Sequence, residues 1–107
     1  MDKRKLIKEL THFVKNVNKD YKIKEVYLFG SRARGRPKKD SDADLIIISG
    51  DFKGMSFFQR GAAMYNYWNL PLSVDFLCYT PEEFESLRKR VSIVREAIAS
   101  GILISSY

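Results

Sequence analysis

Two apolar, strand-like runs in this chain each carry acid where an ordinary core strand has none. The first is Asp42-Ala43-Asp44 leading into Leu45-Ile46-Ile47-Ile48, and the second is Leu72-Ser73-Val74-Asp75-Phe76-Leu77. Alternate residues of a strand share a face. Asp42 and Asp44 therefore point the same way, with Cα atoms about 6.5–7 Å apart, and Ala43 and Leu45 point to the core. Asp75 alternates with Val74 and Phe76 and also faces away from that core. If the two strands are neighbours, three carboxylates meet at one place. Together they repel, and at least one stays protonated unless a cation compensates. A hard divalent ion suits such a set, and Mg²⁺ characteristically takes carboxylate, water and phosphate oxygens. Two such ions about 3.5–4 Å apart activate a hydroxyl and support transfer to it.

Upstream, Val26-Tyr27-Leu28-Phe29 runs as a strand into Gly30-Ser31, and ten residues separate Ser31 from Asp42. Gly30 permits a sharp turn and a close backbone approach to a ligand. Ser31 and the residues after it offer amide hydrogens and a hydroxyl to phosphate at the start of a helical turn over 31–35. Arg32 and Arg34 are placed to clamp phosphate oxygens from the edge. Each piece alone has an ordinary reading, since Gly-Ser is a common turn and Asp-x-Asp a common strand start. The joint order of strand, Gly-Ser, spacer, Asp-x-Asp strand and a third strand with a central acid is what points to chemistry on a nucleotide.

The remaining pattern predicts a mixed α+β fold, with a small mixed sheet of three to four strands packed against helices. Leu6, Ile7, Leu10, Phe13, Val14 and Val17 fall at helical spacing, which predicts an amphipathic helix over 3–17. Strands are expected at 23–29, 43–49 and 72–79, and a helix at 56–67. Thr80, Pro81 and Glu83 form a capping-box start for a helix to about residue 90. A second helix or a continuation runs to residue 100. Gly101 is a helix stop, and 101–104 is a candidate edge strand. With 107 residues and no repeat or linker, 1–107 is expected to be one domain.

Composition narrows the setting. A formal charge of +6 suits an anionic ligand, whether nucleotide, nucleic acid or acidic protein surface, without choosing among them. No apolar stretch is long enough to span a bilayer. Charges interrupt the segment after the basic start, so no secretory signal is expected and the location is read as cytoplasmic. Cys78, the lone cysteine, lies in an apolar run and reads as a small core residue. His12 reads as a surface or boundary position on the first helix. The aromatics of 57–68 are assigned mainly to core packing. Tyr65, Tyr67 and Trp68 do not all fit on one narrow buried stripe, which leaves some of them to touch a partner. Arg88-Lys89-Arg90 reads as a solvated helix end.

The string Gly30-Ser31-Arg32-Ala33-Arg34-Gly35 through Ser41-Asp42-Ala43-Asp44-Leu45, with Asp75 later, resembles the signature of the DNA polymerase β-type nucleotidyltransferase superfamily. Its closer likeness is to the minimal nucleotidyltransferase branch, often the antitoxin partners of HEPN-domain ribonuclease toxins. The resemblance spans nearly the whole chain, and no motif position is missing. It implies a polymerase β-like core, with Asp42, Asp44 and Asp75 holding Mg²⁺ and Asp75 helping to deprotonate an acceptor hydroxyl. It implies that Gly30 and Ser31 bind the triphosphate of ATP or another nucleoside triphosphate. Some minimal members transfer AMP to a tyrosine of their toxin. The small size leaves little room for an acceptor-binding domain, so a docked partner protein is the simplest acceptor. Two alternatives stand beside this: an antitoxin that acts by binding alone, and a basic nucleic-acid-binding module, which the three acids disfavour.

Overall fold

The computed structural model describes residues 1–33, 42–90 and 93–106. Helix α1 spans Lys3–Val17, where the Asp2 side chain caps the start by accepting from the Lys5 amide at 2.8 Å. Strand β1 is Ile23–Phe29 and β2 is Ala43–Ser49, followed by a 3₁₀ turn at Gly50–Phe52. Helix α2 is Phe57–Tyr65, β3 is Val74–Tyr79, α3 is Pro81–Arg88, α4 is Ile93–Ser100 and β4 is Ile102–Ser106. The bounds of α1, β1 and β2 agree with the sequence pattern. Helix α2 stops short of the expected 56–67, because the capping box starts it after Ser56 and a turn takes over at Asn66. The expected capping box of α3 is present, with Thr80 and Glu83 bonded reciprocally.

The four strands lie in the order β3-β2-β1-β4. Strand β1 pairs antiparallel with both β2 and β4, and β2 pairs parallel with β3. The predicted edge strand is thus present, shifted by one residue at its start. The parallel pair needs a crossover, which α2 supplies.

The pleat sorts the side chains into two cores. Ala43, Leu45 and Ile47 join the larger one with Leu6, Leu10, Phe13, Val14 and Val17 of α1 and Met64 of α2. Ile46 and Ile48 face the other way and are buried with Phe84 of α3 and Val94 and Ala97 of α4. The sheet is therefore covered on both sides, which is why β2 is almost continuously apolar after Asp44. Cys78 is buried in the larger core, and its thiol is pushed up to about 12 by that burial. His12 is exposed on α1, and Arg88, Lys89 and Arg90 are exposed at the end of α3, as read from the sequence.

The aromatics of 57–68 divide differently from the expectation. Phe57, Phe58 and Tyr65 are exposed, whereas Tyr67 and Trp68 sit partly buried against the larger core. Trp68 meets both Phe13 and Phe76 edge-on. The reason is the early end of α2: Tyr67 and Trp68 lie in the following turn, so they do not share its helical stripe. Arg60 takes an inward position on α2, which a periodicity of apolar residues could not reveal.

Candidate active site

The topology brings one end of three strands together. Strand β1 finishes at Phe29, its antiparallel partner β2 starts beside it, and β3 starts parallel to β2. In that register Phe29 pairs with Asp44, and Asp44 lies directly opposite Asp75. Asp44 shares its face of β2 with Ile46 and Ile48, and Asp75 shares its face of β3 with Leu77 and Tyr79. Both acids thus project from the same side of the sheet. Asp42, just ahead of β2, is half-buried, while Asp75 is exposed.

Burial raises the pKa of Asp44 above the ordinary carboxylate value, and the negative charges of Asp75 and then Asp42 raise it further. The three acids therefore interact electrostatically. As they stand, no three carboxylate, imidazole or thiol groups among the described residues converge tightly enough to hold a metal ion. The donor chemistry still fits a hard divalent cation, because Asp44 pairs with Asp75, feels the charge of Asp42 as well, and already resists ionisation.

The turn after β1 completes the arrangement. Gly30 has φ +74°, the left-handed region that favours glycine. The Ala33 amide donates to the Gly30 carbonyl at 3.2 Å, closing a turn over 30–33. A Cβ at residue 30 would overlap Oδ2 of Asp44. Gly30 is therefore needed twice, once for its backbone angle and once for the room it leaves the carboxylate. The sequence reading found the first need. The second joins residues fourteen apart and left no local signal. Ser31 is half-buried in this turn, and Arg32 is buried and engaged with neighbouring groups. Arg34, the other expected phosphate clamp, lies outside the described residues, as do Gly35 and the rest of the basic loop to Ser41. The structure thus brings Gly30, Asp44 and Asp75 together, with Ser31 and Asp42 adjacent.

Comparison with known proteins agrees with this fold. The nucleotidyltransferase domain family matches residues 7–100. A Haemophilus influenzae protein named "Probable protein adenylyltransferase MntA" is 37% identical over 71 residues, 64% of this chain and 62% of that protein. The match thus spans less than two thirds of that relative's length. A crystal structure of a Sulfolobus solfataricus protein assigned as a nucleotidyltransferase superposes with a TM-score of 0.70 at 23% identity, covering 97% of this chain and 83% of the other. A toxin-antitoxin structure with AMP-PNP gives 0.58 at 18% identity, over 91% of this chain and 73% of that one. At these identities the two structures establish the fold. No helix among the described residues is long and apolar enough to cross a membrane.

Proposed function

This chain belongs to the nucleotidyltransferase domain family, and from that membership we propose that it transfers a nucleoside monophosphate, AMP from ATP, to a hydroxyl of a partner protein in a Mg²⁺-dependent reaction. The observation that carries the reading is the pairing of Asp44 with Asp75 beside the Gly30 turn. Asp42, Asp44 and Asp75 are the residues that would hold Mg²⁺, two ions in the full site. When bound, the ions supply charge neutralisation for the phosphates and for the attacking oxygen.

The protein's own part is positioning. The amides and hydroxyl of the Gly30-Ser31 turn would bind the triphosphate, with Arg32 and Arg34 as further candidates for its oxygens. The acceptor oxygen forms a bond to the α-phosphorus as the bond to pyrophosphate breaks, and Asp75 is the group placed to take the acceptor's proton. We take 1–107 as one minimal nucleotidyltransferase domain acting in the cytoplasm.

The acceptor we propose is a HEPN-type toxin, which would make the chain an antitoxin. Support comes from the adenylyltransferase name of the H. influenzae relative and from the toxin-antitoxin structure that contains AMP-PNP. The test is transfer of label from α-³²P-ATP, with Mg²⁺, to the product of the adjacent gene. Label on that protein, lost with Asp42→Asn and Asp44→Asn, is the expected result. No label from a folded sample that binds Mg²⁺ overturns the enzymatic reading. Neutralisation of the toxin by the double variant at full strength would instead favour binding alone, the role that exposed Phe57 and Phe58 suit.

A further inference from the structure

We propose that Tyr65 is a positioning residue for Asp75, fixing through its hydroxyl the stretch of β3 backbone from which that carboxylate projects. The inference rests on the transfer reading for its kinetic consequence and on the fold alone for its mechanics.

Strand β3 is the outermost strand beside β2. The Ala43 amide donates to the Ser73 carbonyl at 2.9 Å, so Ser73 faces β2. In a parallel ladder the next residue turns its own N–H and C=O the other way. Val74 therefore presents its carbonyl to the open edge. The Tyr65 hydroxyl donates to that oxygen at 2.5 Å. Four residues on, Cys78 faces the same edge, and its carbonyl accepts from Nη1 of Arg60 at 3.1 Å. Helix α2 thus supplies two side-chain donors where a further strand would supply amides.

Closing an edge against unwanted pairing explains such bonds in general. The placement of this one adds a consequence. Val74 immediately precedes Asp75, the residue opposite Asp44. The Asp75 side chain is exposed and is repelled by Asp44, so its location depends on its backbone. Tyr65 is itself 53% exposed, and its ring meets Phe76 edge-on with centroids 5.0 Å apart. It grips the strand on both sides of Asp75, by the carbonyl of residue 74 and by the ring of residue 76.

The test is Tyr65→Phe, which keeps the ring against Phe76 and removes the hydroxyl. A melting curve verifies that the variant folds. Removing a positioning contact lowers kcat without weakening substrate binding, so kcat for AMP transfer is expected to fall about fivefold or more while KM for ATP stays within about twofold. Amide exchange at Asp75 is expected to quicken at least about threefold, because the strand start opens more often. A raised KM with unchanged kcat overturns the proposal, since the lost hydroxyl would then have been contacting nucleotide. Unchanged exchange at Asp75 also overturns it, whatever kcat does. If the wild-type protein transfers no AMP, the transfer reading falls by itself and the exchange rates alone decide: faster exchange in the variant upholds the positioning role, and equal rates end it.

Discussion

The carboxylate of Asp44 occupies the space that a Cβ on residue 30 would fill. Gly30→Ala therefore meets two penalties. One is the left-handed φ of +74°, which costs an L-residue about 1–2 kcal/mol. The other is displacement of the Asp44 carboxylate, which must rotate away from the position it holds beside the Gly30 turn. We expect a loss of about 2 kcal/mol in stability and at least about a tenfold loss of transfer. Denaturant unfolding of the single variants and of Gly30→Ala with Asp44→Ala separates the two penalties. In the double variant the glycine substitution should retain only its backbone cost, so the effects are non-additive. Strict additivity would show that the two residues do not share this space.

Asp44→Asn is expected to stabilise the metal-free protein while abolishing transfer. The folded state raises the pKa of Asp44, through burial first and then the charges of Asp75 and Asp42. The native protein therefore holds this proton more tightly than the unfolded chain does. Its stability declines as pH rises from the ordinary carboxylate value through the raised one, and stays lower above it. Asparagine removes that loss. Near neutral pH without divalent ions the variant should gain about 1 kcal/mol, the scale of one like-charge pair near water, or roughly 4 °C in melting temperature. Near pH 3 the two proteins should converge. Added Mg²⁺ should reverse the order by stabilising the wild-type protein alone. A variant less stable at every pH would refute the electrostatic account.

The candidate site is legible in the sequence because its main signals are local or periodic. Asp42 and Asp44 follow the strand period, so their common face could be derived. Asp75 alternates with apolar neighbours, and its position opposite Asp44 needed only the further step of pairing β2 with β3 in parallel register. Helix α1 and strands β1 and β2 were legible because long apolar repeats and turn residues bound them. Contacts between distant residues were not. The grip of Tyr65 on Val74 and of Arg60 on Cys78 depends on where α2 crosses the edge of β3, and neither residue type announces it. Among the aromatics after Ser56, Tyr65, Tyr67 and Trp68 divide between surface and core as their spacing implies, whereas Phe57 and Phe58 depart from core packing by facing solvent in the first turn of α2.

Gly101→Ala should damage stability and spare the chemistry. This glycine joins α4 to β4, and a Cβ there would strike the carbonyl oxygen of Ala97 and come within 3.0 Å of that of Leu28. Both are backbone atoms, which cannot rotate aside. The last turn of α4 or the pairing of β4 with β1 must give way, at a cost of about 1–3 kcal/mol as for other overpacked sites. Strand β4 carries none of the candidate catalytic groups. At a temperature where the variant stays folded, its kcat should match wild type, and amide exchange in β4 should report the damage. A lower kcat in fully folded protein would show that the edge strand is coupled to the site.

Arg60 and Glu83 tie three elements through one carboxylate. Arg60 is only 6% exposed. It donates Nε to the Met55 carbonyl at 3.1 Å and Nη1 to that of Cys78 at 3.1 Å, and it grips Glu83 through both Nη atoms at 2.6 and 3.2 Å. Glu83 also accepts from the Thr80 amide at 2.8 Å, so the capping box of α3 and the ion pair share its oxygens. Arg60→Met orphans two carbonyls and half of the pair, and about 3 kcal/mol or more should be lost. Glu83→Gln keeps an acceptor for the cap but leaves the guanidinium without its counter-charge. The Glu83 side chain is 45% exposed, so water screens the loss and about 1 kcal/mol is expected. Hydrogen bonding from Arg60 is the main influence that lowers the pKa of Glu83, opposed by its burial. The contribution of the charge is accordingly present above the ordinary carboxylate range and disappears as pH falls through that range to the lowered value. Urea unfolding of wild type and Glu83→Gln at neutral pH and near pH 3 should therefore show a gap that closes in acid. A gap of constant size would show that the charge of the ion pair is not its source.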